Sequence, residues 1–346
     1  MLLQTRIVKL FLLVSAWSMV LGALLIASHR FGHRAISSQQ LLRSFSELTP
    51  EITNNRSNAR RDRKVVLGDF GREWKPRLPN CLIIGFSKCG TLALRGFLSL
   101  HPDIVSTLRE LRYFTLFYKK GLEWYRNQMP LSKQGQITIE KTPSYILSPE
   151  AIERIYEYNS SIKLIVIVRD PIVRLQSLYS HTFSDDPKSS ENPTFKEWCA
   201  DNPRSLRVLR NVDYAQHIEE VFHFFPKQNV LVLSEESLEE NPMGVMREAE
   251  EFLGLKPYFS RQDFVFSKEK GFYCFNTSSP HYPEILETVV LNKKTGCLGS
   301  GKGRDHPDID GKFLKELVDV IRPYNVRLFR LIGKKFSWEN FKDTPR

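Results

Sequence analysis

Apolar and polar positions follow three different patterns along the chain. Residues 10–28 form an unbroken run of 19 uncharged positions rich in Leu, Val and Ala, a length that spans a bilayer as one helix. Residues 29–80 show no period and carry Ser-, Asn- and Arg-rich stretches such as Thr53-Asn-Asn-Arg-Ser-Asn-Ala-Arg-Arg-Asp-Arg-Lys64; that composition predicts a flexible stem. From Cys81 onward, short apolar runs alternate with helical spacings. Cys81-Leu-Ile-Ile-Gly-Phe86, Gln136-Ile-Thr-Ile-Glu140, Lys163-Leu-Ile-Val-Ile-Val168 and Asn229-Val-Leu-Val-Leu-Ser234 read as strands. The continuous β-branched run at 163–168 predicts a strand covered on both faces. Helices are predicted through Leu92, Leu94, Phe97, Leu98 and Leu100, and near 149–158, 171–183, 211–224 and 242–253. The alternation predicts one α/β domain over 81–346, a central parallel sheet flanked by helices. After Phe264 the pattern is less regular and reads as an appendage to the sheet.

The amino terminus admits two readings, a cleaved signal peptide and an uncleaved signal anchor. The apolar run exceeds the roughly 7–15 residues of a signal-peptide core, and Leu24, Leu25 and Ile26 crowd the small-residue site near Ala27. An anchor is therefore favoured: a cytoplasmic tail at 1–9, a transmembrane helix at 10–28, a lumenal stem at 29–80 and a lumenal domain. Sequons at Asn55, Asn159 and Asn276 fit that location as glycosylation sites.

Charge narrows the choice of partners. The whole chain carries +11, but residues 1–28 hold +2 and residues 29–80 hold +6, so the domain keeps only +3. A polyanion site must then be a local cluster, and no nucleic-acid partner is expected. Five cysteines are too few for a disulfide-built miniprotein.

Two segments carry chemistry. Gly85-Phe86-Ser87-Lys88-Cys89-Gly90-Thr91 joins the first strand to the first helix, where free backbone N–H groups, the helix dipole and Lys88 favour an anion. In a nucleoside-triphosphate loop the lysine directly follows the last glycine; here Lys88 precedes Gly90, which disfavours a kinase. Arg169-Asp170-Pro171 follows the strand at 163–168, and Ser177 lies eight residues after Arg169. A guanidinium and a hydroxyl so placed suit a terminal phosphate.

These motifs, with Gly121-Leu-Glu-Trp-Tyr125, Ile139-Glu-Lys-Thr-Pro-Ser-Tyr145, Gly271-Phe-Tyr-Cys274 and Cys297-Leu-Gly-Ser-Gly-Lys-Gly-Arg304, resemble the heparan sulfate glucosamine 3-O-sulfotransferases from about Cys81 to Trp338. The resemblance implies a P-loop-like sulfotransferase fold, 3′-phosphoadenylyl sulfate (PAPS) as donor, heparan sulfate as acceptor, no required metal, and a Golgi type II membrane protein. It assigns Lys88, Cys89, Gly90, Thr91 and Leu92 to the phosphosulfate end. Arg169 and Ser177 take the 3′-phosphate, and Ser300, Gly301, Lys302, Gly303 and Arg304 form a loop over the nucleotide. Glu110 becomes the catalytic base, Lys88 and Lys141 the cations near the transferred group. Arg112, Lys141, Thr142 and Ser144 join Glu110 in binding the acceptor.

The same resemblance pairs Cys274 with Cys297. Cys81 reads as a small buried hydrophobe, and Cys89, in the phosphate loop, as a thiol that reagents reach at the donor site. His181 and His217 read as structural or incidental. The pattern also departs from the family: Leu92 replaces an arginine, Cys89 a glycine, and Arg112 to Thr115 lack the usual histidine and aspartate. The rivals are another carbohydrate N- or O-sulfotransferase and a heparan-sulfate-binding pseudoenzyme.

Overall fold

The computed structural model describes residues 74–184, 187, 191–282, 292, 294–297 and 306–342. The predicted anchor at 10–28, the stem up to 73, Asn55 and the loop from Ser300 to Arg304 lie outside the described residues. No described helix is long and apolar enough to cross a membrane.

Five parallel strands form the central sheet: β1 (Cys81–Gly85), β2 (Ile104–Ser106), β3 (Ile137–Lys141), β4 (Lys163–Val168) and β5 (Val230–Ser234). Their spatial order is β2-β3-β1-β4-β5. Strand β1 is buried at every position and β4 at every position but Lys163, because a strand covered on both faces needs apolar side chains on both. Register places Ile83 beside both Lys141 of β3 and Ile165 of β4.

The helices are α1 (Thr91–Leu98), α2 (Pro149–Tyr158), α3 (Pro171–Thr182), α4 (Leu206–Val212), α5 (Tyr214–Phe224), α6 (Glu235–Glu240), α7 (Pro242–Leu253) and α8 (Gly311–Ile332), with short helical turns at Gly121–Arg126 and Phe195–Trp198. One device starts three of them. Ser148, Asp170 and Asn241 each cap the first amides with a side-chain oxygen, and a proline follows, where its missing N–H costs nothing.

Three expectations need correction. The helix placed at 211–224 is two, because Asp213 ends α4 and caps α5 by accepting from Gln216 N. The domain begins before 81: Lys75–Pro76 pair with Leu131–Ser132, and Leu78 packs on the core. The region after Phe264 is no irregular appendage. It holds a hairpin, β6 (Phe264–Ser267) with β7 (Phe272–Phe275), and the 22-residue α8, whose Phe313, Leu317, Ile321, Leu328 and Phe329 enter the main core. Helix α8 lies against α3, α4 and α5.

Strand order sets the site. From β1 the chain passes through α1 toward the β2 side, whereas from β4 it passes through α3 to α5 toward β5. The carboxyl ends of β1 and β4 therefore flank the crevice where open α/β sheets bind ligands.

Candidate active site

The β1–α1 loop is shaped by its backbone. Lys88 and Gly90 have φ of 69° and 78°, left-handed values that a glycine adopts without strain. No side chain caps α1 and its first turn has no acid, so its leading amides point at the loop without a built-in anion from that helix. Gly85 is needed for packing, since a Cβ there would sit 2.4 Å from Ile146 Cγ2.

A cation that sequence reasoning missed lies under this loop. Buried Arg174 of α3 donates from Nε to Ser87 O at 3.0 Å, and its guanidinium lies 5.1 Å and 5.3 Å from the Phe86 and Tyr214 ring centroids. Tyr214 donates to Arg169 O at 2.9 Å and touches Cys89 Sγ at 3.8 Å, so one buried phenol joins the loop to the end of β4. His217 is half-buried with its ring edge against Phe86, and burial lowers its pKa. His181 is exposed at the last turn of α3.

Cys89 is not the accessible thiol the sequence suggested. It is fully buried, and burial pushes its pKa up to about 12, which leaves almost no thiolate for a reagent. Burial likewise raises the pKa of Cys81, and that of Cys199 to about 12.

At the end of β4, Arg169 Nε lies 2.5 Å from Glu235 Oε2, both side chains mostly buried. Asp170 N donates to Glu236 Oε1 at 2.8 Å, and Asp170 Oδ2 accepts from Asn340 Nδ2 at 3.0 Å. Ser177 is half-buried on α3, two turns beyond Pro171. Nothing in the sequence pattern pointed to Glu235.

The end of β3 supplies the other half. Lys141 Nζ donates to Glu110 Oε1 at 2.7 Å; the lysine is nearly buried and Glu110 is 35% exposed. Arg112, in a left-handed conformation with φ 51°, places NH2 3.9 Å from Glu110 Oε2 with its side chain exposed. Arg95 is a second cation missed by sequence reasoning. It is 4% exposed, with NH1 2.5 Å from Thr107 O; burial lowers its pKa and nearby Glu110 offsets part of that. The turn Tyr113–Phe117 follows Arg112, and Tyr113 stacks on Tyr125 at 4.1 Å. Beneath lies Glu140, fully buried, which accepts from Leu111 N at 3.2 Å, Thr142 Oγ1 at 2.5 Å and Tyr125 OH at 3.3 Å.

Thr142 corrects its predicted role as an acceptor contact. It is fully buried, and its hydroxyl accepts from Arg112 N at 3.2 Å while donating to Glu140. It supports the Arg112 turn from inside. Ser144 is half-buried at the start of the turn Tyr145–Leu147, and Leu92 is 39% exposed on α1.

Cys274 and Cys297 are bonded, and Cys297 is the last described residue before the Ser300–Arg304 loop. Gly296, with φ 66°, lets the chain pass Phe275 O, which a Cβ would meet at 1.9 Å. Asn276 Nδ2 donates to Gln262 O at 2.7 Å, and Asn159 Oδ1 accepts from Ser161 N at 2.9 Å. Among the described residues no cluster of His, Cys, Asp and Glu suits a metal ion. A basic groove of about 800 Å³, lined by Lys227, Arg322, Arg327 and Arg330 among others, lies near the amino end of β5, away from the strand ends just described.

A family model for the sulfotransferase domain matches residues 78–315. The chain is 38% identical over 296 residues to heparan sulfate glucosamine 3-O-sulfotransferase 3B1 of Homo sapiens, covering 85% of this chain and 71% of that protein. It is also 38% identical over 270 residues to the 3A1 enzyme of Homo sapiens, covering 77% of this chain and 64%, just under two thirds, of that one. Among solved structures, a sulfotransferase from Alicyclobacillus acidocaldarius aligns with a TM-score of 0.56 at 20% identity, covering 75% of this chain and 98% of that one; this likeness concerns the fold.

Proposed function

This chain belongs to the sulfotransferase family, among the heparan sulfate glucosamine 3-O-sulfotransferases, and on that premise we propose that it transfers a sulfuryl group from PAPS to the 3-hydroxyl of glucosamine in heparan sulfate. One observation carries this reading. Four adjacent strands bring to one end of the sheet Glu110 after β2, its partner Lys141 at the end of β3, the Lys88 loop after β1 and Arg169 after β4.

The residues fit a donor with two anionic ends. Gly90 lets the Glu235 side chain approach the loop where a Cβ would meet it at 2.8 Å, α1 offers uncapped amides, and nearby Arg174 is a buried cation and Arg169 a mostly buried one. Lys88 with the 89–92 backbone would hold the phosphosulfate, Arg169 and Ser177 the 3′-phosphate, and Ser300–Arg304 would close over the nucleotide. When bound, PAPS supplies an activated sulfuryl group on a good leaving group.

The chain's own residues bind, orient and move one proton. Oε1 of Glu110 is committed to Lys141, so Oε2 takes the proton from the acceptor hydroxyl. Once Glu110 is neutral, Lys141 is released from its carboxylate partner and its charge becomes available to the oxygens around the transferred group. Lys88 places a second cation at the same end of the sheet. Arg112, exposed beside Glu110, suits the sulfates and carboxylates of the acceptor chain.

Transfer of radiolabelled sulfate from PAPS to heparan sulfate tests the scheme. Glu110→Gln should lose about 100-fold or more in rate, the usual contribution of a positioned base; near-normal turnover would remove Glu110 from that role. Disaccharides lacking a 3-O-sulfate would overturn the assigned position.

The location proposed is the Golgi membrane, single-pass, with the domain in the lumen. It is supported by the uncharged run at 10–28 and by the disulfide, which suits an oxidising compartment. Microsomes should retain the chain after carbonate washing, and a peptide N-glycosidase should shift its mass. Release by carbonate would overturn the anchor, and an unshifted mass the glycosylation.

A further inference from the structure

The carboxylate beside Arg169 is unusual in a site meant for phosphate. Glu235 opens α6, directly after β5, and its Oε2 lies 2.5 Å from Arg169 Nε. Its Cγ lies 2.8 Å from the place a Cβ on Gly90 would take. The same side chain therefore covers the open face of the β1–α1 loop and holds the arginine of the neighbouring strand end. Only 17% of the Arg169 side chain and 13% of the Glu235 side chain are exposed, so the pair is weakly screened by solvent.

We propose that Glu235 sets the affinity of the donor site by occupying Arg169 in competition with the donor's 3′-phosphate. This rests on the donor reading above. A phosphate drawn to Arg169 meets a carboxylate already there, and two anions at one guanidinium repel. Glu235 must swing away before the phosphate is held, and the interaction it gives up is subtracted from the binding free energy. A donor fragment with no 3′-phosphate has no such competitor at Arg169. Glu235 thus lowers the preference of the site for 3′-phosphorylated over unphosphorylated nucleotide. Its removal leaves Arg169 buried without its carboxylate, a state that costs stability in the nucleotide-free protein and that a phosphate relieves.

The test is calorimetric titration of the full chain with adenosine 3′,5′-bisphosphate and with adenosine 5′-monophosphate. The ratio of the two affinities reports the 3′-phosphate contact alone. In Glu235→Gln and Glu235→Ala that ratio should rise about tenfold or more over wild type, the size of one weakly screened unit charge at a few ångströms. Monophosphate binding should persist in both variants, which shows that they are folded, and any gain from uncovering the β1–α1 loop is common to the two nucleotides and cancels in the ratio. In Glu235→Ala/Arg169→Ala the gain should vanish relative to Arg169→Ala, the signature of a pairwise coupling. If wild type binds the bisphosphate and the ratio is unchanged or falls in both Glu235 variants, Glu235 merely orients Arg169 and the proposal is overturned. If neither wild type nor any variant takes up either nucleotide, the donor reading itself fails and this proposal falls with it.

Discussion

Glu140 is held by donors from three segments: the Leu111 amide next to Glu110, the Thr142 hydroxyl on its own strand end, and the Tyr125 phenol. Burial pushes its pKa up to about 7 from 4.5, and the hydrogen bonds from Thr142, Leu111 and Tyr125 offset this only in part. The folded state thus keeps a proton on Glu140 that the unfolded chain releases near pH 4.5. Stability from this group is complete below that pH and is lost as pH rises to about 7. Glu140→Gln, neutral at every pH, should flatten the fall of melting temperature between pH 4.5 and 7 relative to wild type. Parallel profiles would show that Glu140 is not protonated in the folded protein. Because Leu111 adjoins Glu110, the same carboxyl also steadies the segment that carries the proposed base.

At the scale of elements, the sheet was legible because strands buried on both faces must be apolar at nearly every position. The runs at 163–168 and 81–85 show it, and the cap-and-proline start made α2 readable from Pro149 to Tyr158. Helix α8 escaped because its apolar stripe is diluted by Lys, Arg, Glu and Asp on the solvent side and interrupted by Pro323. Edge strand β2 has three residues, too few to show a period. Lys88, Glu110, Lys141 and Arg169 were singled out through motifs. The structure adds what motifs omit: partners from distant segments. Arg174 reaches Ser87, Arg95 reaches Thr107, and Glu235 reaches Arg169. Such pairings depend on strand order, which no local pattern records. Thr142 shows the converse. The motif marked it as a contact, while the fold turns its hydroxyl inward to Glu140.

Taken as a whole, the domain returns its carboxyl-terminal segment to the end of β4. Trp338 is fully buried beside Phe329 and Phe336, with ring centroids at 5.3 and 5.8 Å, and donates from Nε1 to Glu236 Oε2 at 3.0 Å. Glu236 in turn accepts from Asp170 N, and Asn340 binds the Asp170 carboxylate. The segment thereby braces the residue that follows Arg169 and caps α3. Trp338→Ala removes a packed indole and should cost about 3–5 kcal/mol in denaturant unfolding. Trp338→Phe keeps most of the ring but leaves Glu236 Oε2 without its indole donor, for about 1–3 kcal/mol. The difference between the two variants measures packing apart from the hydrogen bond. Equal costs would assign the effect to the hydrogen bond, and no cost in either would show that the segment does not brace the strand end. Because the brace acts on the backbone of Asp170, both variants should also weaken uptake of adenosine 3′,5′-bisphosphate, Trp338→Ala the more strongly.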